Sequence, residues 1–323
     1  MSASVLATAP SEGESTRGHV FAAVIGVILG GGSIFALVYS AAAFQIGVTQ
    51  GTPWGSSLAM AALVAGLAML VATVITAGTI STWALLTTCA VSIAVVVAAT
   101  IGGVEATLAS QVWDQLAWSP LVSGLAATFM GATYACGSAR RSGAHLARAE
   151  FDPATAQART RRLYVAPKPL RTSWGLSLLS ALAAGIGLDA ALLWLADHTK
   201  ADPTTVALVP TGSPTAHSLV TMGACVAATI LIMSAALSSF GPLVAVVTLF
   251  LAPAVYASTF ELFSLGHSLT VESLRPLTLA SPVMGVWGGV MLLTILATTL
   301  ARRDGHTRQT RACLKASVAQ LSS

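Results

Sequence analysis

Apolar runs long enough to cross a lipid bilayer recur along this chain and constrain its fold more than any other sequence feature. A helix needs about 20 apolar residues to cross the ~30 Å hydrocarbon layer. Only 9% of the 323 residues are charged, whereas soluble domains carry about 25%. The sequence therefore predicts an all-α, polytopic integral membrane protein. The eight predicted transmembrane helices cover roughly 20–43, 56–77, 80–103, 119–138, 173–196, 218–238, 241–260 and 280–300.

Lysine and arginine residues are concentrated on one side of this eight-span arrangement. Of the 16 such residues, all but two precede the first span, lie between the fourth and fifth, or follow the eighth. Cytoplasmic segments carry this kind of excess, so we expect both termini to be cytoplasmic. The alanine-rich composition and short loops are typical of a bacterial plasma membrane. The predicted topology determinants close the fourth and eighth spans: Arg140, Arg141, Arg302 and Arg303.

Two parts of the sequence resemble each other closely enough to indicate an internal repeat. The segment 119–143, "SPLVSGLAATFMGATYACGSARRSG", aligns with 281–305, "SPVMGVWGGVMLLTILATTLARRDG", and 7 of the 25 positions are identical at an offset of 162. Four spans is an even number, so two such halves enter the membrane in the same direction. This pattern predicts two parallel four-helix repeats related by an axis along the membrane normal. A chance match between common helix starts and stops is the alternative.

The predicted domain organisation follows from the repeat and from the polar segments around it. Residues 1–18 form a small, polar N-terminus that we expect to be disordered and cytoplasmic. The two membrane repeats occupy 19–143 and 171–305, and a basic linker at 144–170 joins them. Residues 306–323 form a cytoplasmic C-terminal tail. The linker is a candidate docking segment for a membrane or cytoplasmic protein partner, or a solvated connection.

One acidic residue stands well inside a predicted span. Asp189, in "GIGLDAALLW", is the only Asp, Glu, Lys or Arg so placed, and such residues often face a water-filled cavity or the bundle interior. A hydrogen bond to a neighbouring helix is the structural alternative. The residues that we expect to line a substrate path are Asp189, Gly185, Gly30, Gly31 and Gly32.

Small residues repeat every four positions on the first and fifth spans. Gly26 and Gly30 share one helix face in the first span, and Ala181 and Gly185 share one in the fifth. Small side chains at this spacing let helix backbones approach closely, so Gly26 and Ala181 are predicted packing positions. Pro253, inside the seventh span, removes a backbone hydrogen bond and is a candidate hinge.

The function is less constrained than the fold. The sequence contains no Walker A, G-x-S-x-G, H-E-x-x-H or dinucleotide-binding motif. We therefore expect no enzyme activity, no catalytic residues, no cofactor, no metal and no nucleic-acid partner, and the lipid bilayer is the expected partner. The favoured hypothesis is permease-like transport of a small or lipophilic solute between the two halves. The main alternative is a membrane subunit that scaffolds a partner complex through 144–170, and a lipid-modifying enzyme is the third.

Overall fold

The computed structural model of the chain describes residues 16–50, 57–100, 116, 118–151, 171–201, 208–257 and 275–321. These residues are almost entirely helical. Helix α1 consists of Thr16–Ile25, a π-helical turn at Gly26–Gly30, and Gly31–Gln50. The others are α2 (Ser57–Thr79), α3 (Trp83–Thr100), α4 (Leu121–Phe151), α5 (Arg171–Asp197), α6 (Pro214–Met233, continued by a 3-10 turn at Ser234–Ala236), α7 (Phe240–Val246, continued by a π-helical turn at Val247–Leu251 and by helical residues 252–257) and α8 (Arg275–Leu321). A short antiparallel hairpin, β1 (Thr199–Ala201) and β2 (Leu208–Pro210), joins α5 to α6.

Six of these helices are long and apolar enough to cross a membrane, namely α1, α2, α5, α6, α7 and α8. The apolar part of α3, Trp83–Ala98, is shorter, and the 31 residues of α4 include a charged C-terminal part. The chain is therefore a helical membrane protein, as the sequence predicts. The count of eight spans stays a prediction.

Helices α4 and α8 lie side by side at the centre of the bundle, and the other helices pack around them. Helix α1 packs against α2 and α3, and α5 packs against α6 and α7. Helix α3 also contacts α4, and α7 contacts α8. Two further contacts cross between the predicted repeats, because α2 packs on α8 and α6 packs on α4. The two central helices therefore hold both groups of outer helices together.

Glycine allows α4 and α8 to cross at very short range. A methyl group at Gly143 would overlap the carbonyl oxygen of Arg302, and one at Gly305 would overlap that of Arg140. Further along the same contact, Gly124 makes room for the ring of Trp287. Trp287 is fully buried, and its Nε1 donates a 2.9 Å hydrogen bond to Thr128 Oγ1. This bond pairs a polar group that would otherwise be costly to bury.

The outer helices turn apolar side chains away from the bundle. The exposed large hydrophobic side chains of α1, α2, α5 and α6 include Ile28, Phe35, Val64, Leu179, Ile186, Leu219 and Met222. An exposed apolar surface of this extent is unfavourable in water and favourable against lipid. The outward surface therefore agrees with a membrane location.

Two predicted domain boundaries fall inside continuous helices. Helix α4 continues past 143 to Phe151, and α8 continues past 305 to Leu321. Gly143 and Gly305, which mark the ends of the repeats in the sequence, are thus contact points within helices. Residues 1–15 of the predicted N-terminus and 152–170 of the predicted linker lie outside the described residues.

Candidate functional site

The first arginine of each Arg-Arg pair binds the C-terminal carbonyl groups of a neighbouring helix. Nη2 of Arg140 donates to the carbonyl oxygens of Ala77 and Gly78 in α2, at 2.9 and 3.3 Å. Nη2 of Arg302 donates to those of Ala235 and Ala236 at the end of α6, at 3.3 and 2.9 Å. The last carbonyls of a helix lack partners within it and carry partial negative charge. Each guanidinium therefore completes the end of a helix, and its role in topology stays a prediction.

An ion-pair network adds to this end of the bundle, which we call the arginine end and define by Arg140, Arg302 and Arg308. Asp304 Oδ2 lies 3.3 Å from Arg140 Nε, so the pair joins α8 to α4. Arg308 Nε lies 2.9 Å from each oxygen of the same carboxylate. Arg308 Nη2 also donates to the carbonyls of Thr79 and Ile80, at 2.6 and 3.2 Å.

The ion pair between Arg140 and Asp304 is partly shielded from solvent. The side chains of Arg140 and Asp304 are only 15% and 17% exposed. Ion pairs in such positions are screened less than fully exposed pairs are. The corresponding position in the first predicted repeat, 162 residues earlier, is Ser142, which cannot form an ion pair. The carboxylate that joins α4 and α8 at the arginine end therefore comes from one predicted half only.

The other two topology residues have no comparable role. Arg141 and Arg303 are exposed. Arg141 Nε makes a 3.4 Å hydrogen bond to the carbonyl of Gly137 in its own helix. The first arginine of each pair therefore caps a neighbouring helix, and the second faces outward.

Asp189 lies at the edge of the buried face of α5. Its side chain is half-buried, and its Oδ1 atom is buried without a hydrogen-bond partner. Asp189 is eight residues before the end of α5 at Asp197, or about 12 Å at 1.5 Å per residue. It therefore belongs to the half of the bundle farther from the arginine end.

The glycines predicted to line a substrate path make helix contacts. A methyl at Gly30 would overlap Thr88 of α3, one at Gly31 would lie 3.2 Å from Val91, and one at Gly32 would lie 3.2 Å from Met69 of α2. A methyl at Gly185 would meet Leu249 of α7 at 2.7 Å. The five predicted lining residues thus lie on two helices, and the glycine contacts stay within each predicted half.

The predicted packing residues lie at buried positions. Gly26 is buried, and a methyl there would overlap the carbonyl of Ala84 in α3. Ala181 is fully buried in α5. Pro253 lies two residues after the π-helical turn Val247–Leu251 in α7. A π-helical turn next to a proline accommodates the missing backbone donor.

At the opposite end of the bundle, aromatic and histidine side chains from both predicted halves meet. We call this the aromatic end and define it by Trp118, Trp194, His198 and His217. His217 Nε2 lies 3.1 Å from the carbonyl oxygen of Trp118, which is fully buried. The rings of Trp194 and His198 stack at 4.0 Å, and those of Trp194 and His217 are 6.5 Å apart. Arg275 of α8 reaches this end by donating to the carbonyl of Thr199 in β1, at 3.2 Å.

Unpaired polar groups are distributed unevenly between the two ends. Among the residues that the structure describes, the buried side-chain atoms without a hydrogen-bond partner belong to Gln45, Trp118, Asp189, His217 and the Arg140–Asp304 pair. The last two form the ion pair described above. The remaining four residues all lie toward the aromatic end. Buried polar groups are normally hydrogen-bonded, so these four residues call for an explanation.

Sequence reasoning assigned no site role to Asp304, Arg308, Trp118 or Gln45. Asp304 and Arg308 are four residues apart, a spacing that favours an ion pair on one face of a helix. The sequence could therefore have predicted this pair. Trp118 and His217 are 99 residues apart, and no local pattern links them.

The part of the chain that the structure describes contains no group of three or more His, Cys, Asp or Glu side chains able to hold a metal ion. The chain matches no protein-family model, no curated protein and no solved structure.

Proposed function

We propose that this chain is a permease-like membrane protein without enzymatic activity, which moves a small or lipophilic solute across the membrane. In this proposal the chain has eight spans in two parallel four-helix halves, 19–143 and 171–305. The arginine end faces the cytoplasm of a bacterial plasma membrane, because basic residues accumulate on that side.

Matched contacts in the two halves support the repeat. Arg140 and Arg302, at an offset of 162, cap the ends of α2 and α6. Each of Gly143 and Gly305 packs against the backbone of the other half's arginine. A third pair of contacts lies at the hairpin turns, where the backbone N–H groups of Trp83 and Phe240 donate to the hydroxyls of the serines two residues earlier, at 3.4 and 3.2 Å.

The unequal distribution of unpaired polar groups is the observation that carries the transport proposal. In this proposal the Arg140–Asp304–Arg308 network holds the arginine end closed. The aromatic end holds the unpaired groups of Gln45 and Asp189. A carrier must close one side while offering polar groups to a solute on the other. An unpaired buried polar group costs about 1–3 kcal/mol, which is a reason for it to be kept only where it is used.

Opening of the arginine end can be tested with a cysteine of the natural chain. Cys136 is fully buried and lies one helical turn before Arg140 on α4. Asp304→Asn removes the charge that holds Arg140 and Arg308 together, so it should increase modification of Cys136 by a membrane-impermeant maleimide in inside-out vesicles. Asp197→Asn, at the exposed end of α5, is the control. Unchanged modification of Cys136 in Asp304→Asn would contradict a gate at this end.

Whether Asp189 lines a path can be tested on the same helix. In membrane vesicles, Asp189→Cys should react with a membrane-impermeant thiol reagent, and peptide mass spectrometry separates it from the natural cysteines. Ile186→Cys is the matched control, because Ile186 is 57% exposed on the apolar outer surface and should be shielded by lipid. Equal protection of both positions would remove Asp189 from the path.

A scaffold without transport activity is the second candidate, and the packing between α4 and α8 favours it. Leu125, Phe129, Val290 and Met291 of these helices are all fully buried, so the contact between the halves is dry. Deletion of 152–168 leaves α4 whole and removes most of the basic linker. Loss of a stoichiometric co-purifying protein in this variant would support scaffolding, and purification of the intact chain alone would argue against it.

A further inference from the structure

We propose that the aromatic end contains a binding site for a ligand that carries hydroxyl groups. The site consists of Trp118 from the first predicted half and Trp194, His198 and His217 from the second. It goes beyond the proposed function, because a ligand can bind here whether or not it is carried across the membrane.

The hydrogen-bonding capacity of the site follows from the contact between His217 and Trp118. The Trp118 carbonyl can only accept a hydrogen bond, so His217 Nε2, 3.1 Å away, must carry the proton. In the neutral ring Nδ1 is then an acceptor, and this atom is buried without a partner. The indole Nε1 of Trp118 is a donor that is also buried without a partner. The two joined residues therefore offer one free donor and one free acceptor.

A hydroxyl group matches this pair, because it accepts one hydrogen bond and donates another. A carboxylate or phosphate without a proton would satisfy the indole donor and could not donate to an imidazole acceptor. An ammonium group would do the reverse. The surrounding rings add apolar contact area, since Trp194 stacks on His198 at 4.0 Å and lies 6.5 Å from His217. Ligand sites commonly combine aromatic walls with a few convergent polar groups.

The matching positions of the other predicted half do not repeat the Trp118–His217 pair, unlike the helix caps and glycine contacts. At an offset of 162, the position that corresponds to Trp118 is Ala280. At the offset of 161 that relates the starts of the second and sixth spans, the position that corresponds to His217 is Ser56. Neither residue can supply an aromatic ring. The caps and glycine contacts at the arginine end, in contrast, occur in both halves.

The β1–β2 hairpin lies beside the cluster and offers a route of entry. Strand β1 begins one residue after His198, and the N–H of Thr211, just beyond β2, donates to the carbonyl of His198 at 2.7 Å. Among the described residues, Arg275 of α8 donates a hydrogen bond to the carbonyl of Thr199 in this hairpin. The hairpin is therefore the irregular segment next to the proposed site, and a ligand that enters past it need not cross the helix bundle.

The test uses the full chain in phosphatidylcholine nanodiscs, whose lipid has no hydroxyl group, with ¹⁵N-labelled tryptophan. The chain has 7 tryptophans, and the Trp118 indole signal is identified by its loss in Trp118→Phe. The probes, used below micelle-forming concentration, are octyl glucoside, its fully O-methylated analogue, and glucose. We expect a saturable shift of the Trp118 signal with octyl glucoside, glucose or both. The O-methylated analogue should bind at least ~10-fold more weakly because it cannot donate.

The pattern of responses also separates two sources of the ligand. A response to octyl glucoside alone indicates a lipid-like ligand, and a response to glucose indicates a soluble one. His217→Phe should weaken binding by about fivefold or more through loss of the acceptor. His306→Phe, at the arginine end, should leave it unchanged. Equal binding of octyl glucoside and its O-methylated analogue, or no saturable shift with any probe, would overturn the proposal without bearing on transport.

Discussion

Replacing Gly143 with alanine should destabilise the protein, although alanine is the better helix former. The added methyl group would overlap the carbonyl oxygen of Arg302 and would lie 3.0 Å from the amide nitrogen of His306. Carbon atoms in favourable contact are about 3.5–4.0 Å from their neighbours. Because the obstructing atoms belong to the α8 backbone, no side-chain rotation can relieve the overlap. Helices α4 and α8 would have to move apart.

The expected magnitude follows from two opposing terms. Overpacking a tight contact costs about 1–3 kcal/mol, and an obstructing backbone places this site near 3. Alanine recovers about 1 kcal/mol of helix propensity relative to glycine. The net loss in the free energy of unfolding should therefore be about 2 kcal/mol. Gly137→Ala on the same helix is the matched control, because a methyl there meets nothing within 4 Å, and it should stabilise by up to ~1 kcal/mol.

The assay is reversible unfolding in mixed micelles with an increasing fraction of denaturing detergent. Gly305→Ala should lose about as much stability as Gly143→Ala, since its methyl would overlap the Arg140 carbonyl. The double variant should lose less than the sum, because the first methyl already separates the helices. If Gly143→Ala were as stable as Gly137→Ala, the close crossing of α4 and α8 would be refuted.

Three further predictions concern other contacts in the bundle. Trp287→Phe should lower the free energy of unfolding by about 1–2 kcal/mol through loss of the hydrogen bond to Thr128, and Thr128→Val should recover part of this in a double-variant cycle. In thermal unfolding, Arg302→Gln should lower the Tm through loss of the cap on α6, whereas Arg303→Gln, at an exposed position, should not. Gly30→Ala should destabilise because its methyl would overlap Thr88, whereas Gly187→Ala on α5, with nothing within 4 Å, should be neutral or stabilising in the same detergent titration.

The sequence predicts the helices well where the length of an apolar run decides the structure. The short polar interruption "AGTIST" predicts a tight turn, and α2 ends at Thr79 and α3 begins at Trp83. The C-terminal limits of α4 and α8 were not predictable in this way, because the loss of hydropathy after each Arg-Arg pair ends the apolar run without ending the helix. No proline follows Gly143 or Gly305 within the helix, and these glycines act through close packing.

The candidate sites depend on tertiary contacts, which explains what sequence reasoning could not predict. Counting basic residues predicts a topology role for Arg140 and Arg302. It cannot show that their guanidinium groups reach the last carbonyls of α2 and α6, because that depends on where neighbouring helices end. Likewise, the hydrogen bond between His217 and the carbonyl of Trp118 forms only when α6 packs on α4. Asp189 could be chosen as a candidate from the sequence alone, because a single acidic residue within an apolar run is evident without knowledge of its neighbours.

Contacts that occur in both halves and contacts that occur once constrain the function differently. Under the proposed repeat, a contact made at matching positions, such as the caps of Arg140 and Arg302, is what two copies of one unit would need in order to pack. A contact made in one predicted half alone would not be required by that shared architecture. Asp304 and the Trp118–His217 pair are of this second kind, and they lie at opposite ends of the bundle. The features that distinguish the predicted halves therefore coincide with an ion-paired end and with an end that holds unpaired polar groups, which is the asymmetry that the proposed transport would use.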